Sequence, residues 1–325
     1  MKPKNGAFII SLDFELFWGI LSKNKKDIDN YKNNLFGARN VIPRLLELFD
    51  KYKIHATWAT VGLLFFKTKN ELIAGLPEDR PAYPDKTLSP YEHINEIGED
   101  EKEDPLHYAP SLINLIASYP NQEISSHTFS HYNTLEIGQN GKTFEADLAT
   151  SIKIAKKYNI NIETLVFPYH KINYDYLPIC KKLGIMAYRG NQDGWLHNGK
   201  NYLAKIIIRF VDRYVNIAGH NAFLPTMVSE NLPLNIKASR FLYPYSGKLR
   251  FLEKFRLNRI LSGMTYAAKN GLAYHIWWHP HNFGLNQEQN LMFLEKILKH
   301  YLALEKKYNM ASLNIKELAQ HLYGK

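Results

Sequence analysis

Short apolar runs that end in polar or acidic residues, separated by stretches with helical spacing, recur along the whole of this chain. The first, at 6–12, passes directly into Asp-Phe-Glu and reads as a buried strand. Side chains alternate along a strand, so Asp13 and Glu15 face one way and Phe14 the other. The spacing of Val41, Leu45, Leu48 and Phe49 predicts a helix over 37–53, followed by a strand at 54–60 and a helix at 62–74. Between 76 and 109 the pattern lapses into prolines and acids, which predicts an inserted loop.

Regularity returns with a helix at 110–118, a short strand at 123–126 that delivers His127 to its carboxyl end, and a helix at 144–158. A strand at 164–167 runs into Pro168, Tyr169 and His170; a helix at 174–183 and a strand at 184–188 lead into a loop holding Arg189, Asp193 and Trp195. The stretch 203–215 fits helix or strand, and the surrounding 197–247 is expected to be a second insertion. A helix at 250–270, a strand at 272–278 ending in His279, a helix at 287–307, a short strand at 310–314 and a helix at 316–322 complete the series. Such alternation implies parallel strands, in a doubly wound sheet or a barrel, with chemistry gathered at the carboxyl ends of the strands.

Composition narrows the class without naming it. The chain has 325 residues, 45% of them hydrophobic and 22% charged, which suits a large globular core. It contains no apolar run long enough to span a membrane and no recognisable secretory leader, so a cytoplasmic location is expected. The single cysteine, Cys180, excludes an intrachain disulfide. A formal charge of +10 is spread over scattered lysine pairs, with no recognition helix for nucleic acid; the functional reading kept is a substrate carrying phosphate.

Position supplies the chemistry. Asp13, Glu15, His127, His131, Tyr169, His170, Asp193, His279 and His281 all fall just past expected strand ends. His127 and His131, four apart, would meet on one face if the segment turned helically. Two imidazoles and a carboxylate are a common ligand set for catalytic zinc or a similar divalent ion; a second carboxylate can act as general base and a further histidine can protonate a leaving amine. These are the parts of a metal-assisted amide hydrolase.

The order of motifs resembles the NodB-type polysaccharide deacetylases, carbohydrate esterase family four. Ser11-Leu-Asp-Phe-Glu15 resembles that family's Thr-Phe-Asp-Asp-Gly motif, and Ala56-Thr-Trp-Ala-Thr-Val-Gly62 its second strand. Ser126-His127 to His131 resembles the His-Ser/Thr-x-x-x-His element, Phe167-Pro-Tyr169 the third motif, and Ile276-Trp-Trp-His279 the terminal Leu-x-His.

The resemblance implies an α/β fold, a distorted (β/α) barrel of about seven parallel strands, as one catalytic domain over 1–325. It implies Asp13 as general base, His279 as catalytic acid, and His127, His131 and Glu15 as ligands of a divalent metal such as zinc, with Asp13 the alternative third ligand. The Tyr169 backbone is the oxyanion donor it suggests, while Asp193 and Trp195 resemble a fourth motif that orients the acid and lines the pocket. The third motif's usual arginine is absent, leaving Arg189 from the next strand or His170 to take its place. Trp18 is open between pocket and core; Trp58, Trp277 and Trp278 are expected in the core, and His275 and His281 as packing or loop residues. The expected substrate is an N-acylated sugar, nucleotide- or lipid-linked, from surface-polysaccharide assembly. Alternatives are hydrolysis of another C–N bond, such as a cyclic amide, or metal or sugar binding without catalysis. Oligomeric state is not readable from the sequence.

Overall fold

The computed structural model describes residues 5–21, 25–192, 202–225 and 232–324. Its centre is one parallel sheet curled into a barrel. β1 (Ala7–Phe14) pairs with β2 (Ala56–Thr60) on one side and β8 (Ala273–Trp278) on the other; β3 (Gln122–Ser126), β4 (Thr164–Val166), β5 (Ala187–Gly190) and β6 (Leu234–Lys237) follow outward from β2. β7 (Arg240–Phe241) pairs with the far side of β8.

Closure depends on two residues. The amide of Ala238 donates to the Gly190 carbonyl on β5, and the next amide, Ser239, donates to His275 on β8. The 234–241 segment therefore leaves one edge of the sheet and joins the other, making a ring of seven staves with β6–β7 as one of them. This matches the expected barrel of about seven strands. A short β9 (Ala311–Ser312) adds to β1 below the start of β2.

Alternation then sorts the side chains. Phe8, Ile10, Leu12 and Phe14 point outward into the main core beneath α1 (Lys25–Lys51), α3 (Pro110–Ser118), α7 (Glu253–Asn270) and α8 (Gln287–Tyr308). Ala7 and Ile9 point inward, where Ala187, Leu234, Ile236 and Ala273 meet Ile315, Leu318 and Ala319 of α9 (Ile315–Tyr323) and plug the floor of the barrel. Above that apolar layer the inward positions become polar: Ser11, Thr57, Glu123, Thr164, Arg189 and His275 are all buried. Fully buried polar groups must be partnered, and most of these bond to one another across the barrel.

Several elements depart from the sequence reading. α1 begins at Lys25 rather than 37, because packing against the turn after His279 extends it through Gly37. A Cβ on Gly37 would lie 2.1 Å from the Gly284 carbonyl oxygen, so backbone meets backbone there. The expected helix over 62–74 is a 3-10 turn followed by α2 (Lys69–Ala74). Residues 76–109 form a loop with three 3-10 turns, as expected. The region 197–247 contributes α6 (Tyr202–Asp212) and both halves of the closing stave.

Candidate active site

Asp13 and Glu15 leave the carboxyl end of β1 on the inner face of the barrel, and His127 and His131 arrive from the end of β3. The Glu15 carboxylate lies between the two imidazoles: its Oε2 is 3.3 Å from His127 Nε2 and 3.0 Å from His131 Nε2. All three side chains are buried.

The tautomer of the neutral His127 ring follows from its other nitrogen. His127 Nδ1 lies 2.8 Å from the Val166 carbonyl and must donate to it, which leaves Nε2 as a lone pair aimed at a carboxylate oxygen. Two acceptors at 3.3 Å repel unless a cation, or an added proton, sits between them. Burial holds His131 below the usual histidine range, against the pull of Glu15, and its Nδ1 is buried with no hydrogen-bond partner. Burial alone would raise Glu15; His279 and His131 outweigh it and keep the carboxyl well below its ordinary value. Two imidazoles and a carboxylate whose donor atoms lie within 4.8 Å of one another fit a divalent ion.

The loop carrying the histidines is not a helical turn. Thr128 and His131 adopt left-handed backbone, φ 61° and 55°, which non-glycine residues hold only when their surroundings fix it. Asp147 on α4 (Gly141–Lys156) does the fixing: its carboxylate accepts from the amides of Phe129 (2.7 Å) and Ser130 (3.2 Å) and from the Ser130 hydroxyl. Tyr132 N donates to Thr128 Oγ1 and closes the loop from the other side. Helical spacing thus points to a pair that does converge on Glu15, although the loop is not helical; Asp147 escapes the sequence reading, because a lone aspartate on an amphipathic helix carries no local signal.

Arg189 lies inside β5, one position beyond where the expected strand ends, and crosses the barrel to Asp13. Its Nη1 and Nη2 lie 2.6 and 2.7 Å from the two carboxylate oxygens. Nη1 also donates to Ser11 Oγ at 3.1 Å; that hydroxyl donates to His275 Nε2 at 2.8 Å, whose Nδ1 in turn donates to the Lys237 carbonyl. Burial would raise Asp13, but the Arg189 guanidinium, helped by His127 and His279, holds it well below the carboxylate range. Burial beside the same cation pushes His275 and His170 down to about 3. His170 packs edge-on against Trp277, ring centroids 4.3 Å apart, and it is Arg189 that grips Asp13.

His279 closes the group from β8. Its Nε2 lies 3.7 Å from Asp13 and 3.5 Å from Glu15, and with its side chain 22% exposed it is the most open of these groups. Its Nδ1 faces Asn282 Oδ1 at 3.2 Å, within a capping box formed by the turn that follows. His281 stacks on His279 at 4.8 Å between centroids, so it belongs to the site's wall rather than to remote packing.

For the tryptophans, one open reading is resolved and one expectation is corrected. Trp18 is fully buried and its indole N–H donates to the His107 carbonyl, so it packs the core and no face is left for substrate. Trp277, expected in the core, faces inward and is half-buried because it sits one inward position past His275, the last fully covered one of β8. It lies under the Arg189 guanidinium at 4.4 Å and beside Phe241 at 4.6 Å. Tyr169, at φ 58°, meets His131 edge-on at 4.6 Å. Asp193 and Trp195 lie outside the described residues.

Comparisons bear on the fold and the family resemblance. A sequence model of the polysaccharide deacetylase family matches residues 29–188. The chain resembles the NodB-type polysaccharide deacetylases; the matched stretch contains His127, His131 and Tyr169, while Asp13, Glu15, Arg189 and His279 lie outside it. A protein from Mycobacterium smegmatis described as a polysaccharide deacetylase superposes with TM-score 0.64 at 13% identity, covering 99% of this chain and 91% of its own. One from Pseudomonas aeruginosa PAO1, described likewise, gives 0.56 at 10%, covering 98% and 91%. The 4-alpha-glucanotransferase of Thermococcus litoralis gives 0.51 at 11%, covering 91% of this chain and 37% of that one. At such identities the likeness is one of fold. No curated protein matches the sequence.

Proposed function

We propose that this protein is a divalent-metal-dependent hydrolase that removes an acyl group, acetyl in the simplest case, from the nitrogen of an N-acylated sugar. The observation that carries this reading is the contact between His127 Nε2, whose lone pair is fixed by the Val166 carbonyl, and Glu15, with Asp13 and His279 flanking it. His127, His131 and Glu15 would hold the ion, zinc being suited to such a donor set. When bound, the ion supplies Lewis acidity toward a carbonyl oxygen and makes water more acidic.

The chain's own residues do the rest. Asp13, kept ionised and oriented by the Arg189 fork, takes a proton from the attacking water. His279, the exposed member, gives a proton to the departing amine, with Asn282 holding its ring. The Tyr169 backbone amide is assigned to the oxyanion. The half-buried rings of Trp277, Phe241 and Tyr169 offer apolar walls to a sugar ring.

A panel of N-acetyl sugars, their nucleotide and lipid conjugates and small cyclic amides, assayed for released acid or amine, tests the reading. Turnover of an acyl sugar that is lost in Asp13→Asn is expected. Turnover of cyclic amides alone would move the enzyme to another C–N bond, and stoichiometric metal with no turnover and no effect of Asp13→Asn would leave a binding protein.

A further inference from the structure

Exposed apolar side chains are not spread evenly over the surface. Six lie within residues 206–217, on and just after α6: Ile206, Ile207, Phe210, Val211, Val215 and Ile217, with Ile207 65% exposed. Two more stand at the start of α7, Phe251 at 69% and Phe255 at 55%. The segments adjoin. Arg259 of α7 bonds the Asp212 carboxylate and the Gly219 carbonyl, Arg256 donates to the Tyr243 carbonyl, and the Arg213 guanidinium lies over the Tyr243 ring at 3.7 Å and near Phe210 at 5.5 Å.

Charge on this face is one-sided. Within 202–225 and 247–258 the acids are Asp212 and Glu253, and both are ion-paired, with Arg240 and Arg259 and with Arg256. Lys248, Arg250 and Lys254 stand exposed beside the apolar residues, as does Arg209, on a chain of net charge +10. Exposed Ile and Phe flanked by Lys and Arg are what an amphipathic element lying in a bilayer interface requires: acyl-chain contact from the first, headgroup phosphate from the second. A protein partner or second copy would fit the apolar area, but only an anionic surface answers the cations too. No helix among the described residues is long and apolar enough to cross a membrane, so contact would be peripheral.

The same face adjoins the candidate site. From Arg213, ring contacts run through Tyr243 and Phe241 to Trp277 and His279, with centroids 4.8, 4.6 and 6.2 Å apart along the path from Tyr243. We infer that α6 and the 247–255 turn dock on an anionic lipid bilayer and hold the candidate site close to the membrane surface. Presentation of a lipid-carried acyl sugar there rests on the deacetylase reading; docking itself does not.

Co-sedimentation of the full chain with vesicles tests the inference. Binding to vesicles of equal phosphatidylglycerol and phosphatidylcholine, absent on phosphatidylcholine alone and reduced at about 0.5 M salt, is expected. Ile207→Ser with Phe251→Ser, two solvent-facing changes, is expected to lower bound protein about tenfold or more, and so is Lys248→Gln with Arg250→Gln and Lys254→Gln. Wild type left in the supernatant, or the apolar double variant pelleting as well as wild type, overturns docking. So does wild-type self-association that the double variant abolishes while vesicle binding stays the same. Hydrolysis of a water-soluble acyl sugar is read separately in each protein. Vesicle binding without any hydrolysis overturns the deacetylase reading and leaves docking standing, and hydrolysis without vesicle binding does the reverse.

Discussion

Arg189 on β5 holds both carboxylate oxygens of Asp13 on β1, at 2.6 and 2.7 Å, across the interior of the barrel and 176 residues apart in sequence. A bidentate guanidinium fixes orientation as well as charge, and no arginine stands beside Pro168, which Tyr169 and His170 follow.

Arg189→Met is therefore expected to cost stability and turnover together. Removing one partner of a buried pair leaves the other charge uncompensated, a loss of about 3–5 kcal/mol. Arg189→Lys keeps the charge but not the fork, so kcat is expected to fall while the fold is largely retained. Denaturant titration of Arg189→Met beside the double variant Arg189→Met/Asp13→Asn checks the assignment: the second change should restore much of the lost stability. If it adds a further loss, the pair is not the source.

Metal binding separates the histidines. His127→Ala and His131→Ala are expected to abolish stoichiometric zinc, whereas His279→Ala and His281→Ala retain it. His279→Ala is expected to slow turnover about 10²–10⁴-fold, the usual range for a lost general acid. Metal content after dialysis, measured beside initial rates, checks both; loss of metal in His281→Ala with retention in His127→Ala would reverse the site.

Asp147 touches neither substrate nor ion in this scheme, yet it pins the loop that aims His127 and His131. Asp147→Ala is expected to weaken metal affinity about 10–100-fold, the range for partners that orient ligands. Competition with a chelator reads this directly. KM for substrate at saturating metal should barely move, which a general collapse of the barrel would not allow.

Acid stability carries a signature of His275. Burial beside Arg189 lowers it from an ordinary 6.5 to about 3, so between those values the unfolded chain binds a proton that the native one refuses. Its contribution is complete above about pH 6.5 and is lost as pH falls toward 3. His275→Gln is expected to flatten the pH dependence of unfolding free energy in that window, measured by denaturant titration at several pH values; an unchanged slope would show that other groups carry it.

Much of this could be read locally. Apolar runs ending in acids or histidines marked the strands and their carboxyl ends, because alternation and the switch from buried to polar positions are properties of neighbouring residues. Asp13, Glu15, His127, His131 and His279 were found that way. What was not legible depended on closure of the ring. The path of 234–241 passes from β5 to β8 between Ala238 and Ser239, and no local pattern announces it.

The sequence by itself determined the β-α alternation, the residues able to hold a cation and their place at strand ends, since each follows from periodicity and side-chain chemistry. Only the tertiary structure decided which arginine faces Asp13, that Asp147 shapes the histidine loop, that Trp18 is core and Trp277 pocket wall, and that α6 keeps an apolar face outward. Those outcomes depend on register and curvature across distant strands, where one residue's shift moves a side chain from the inside of the barrel to the outside.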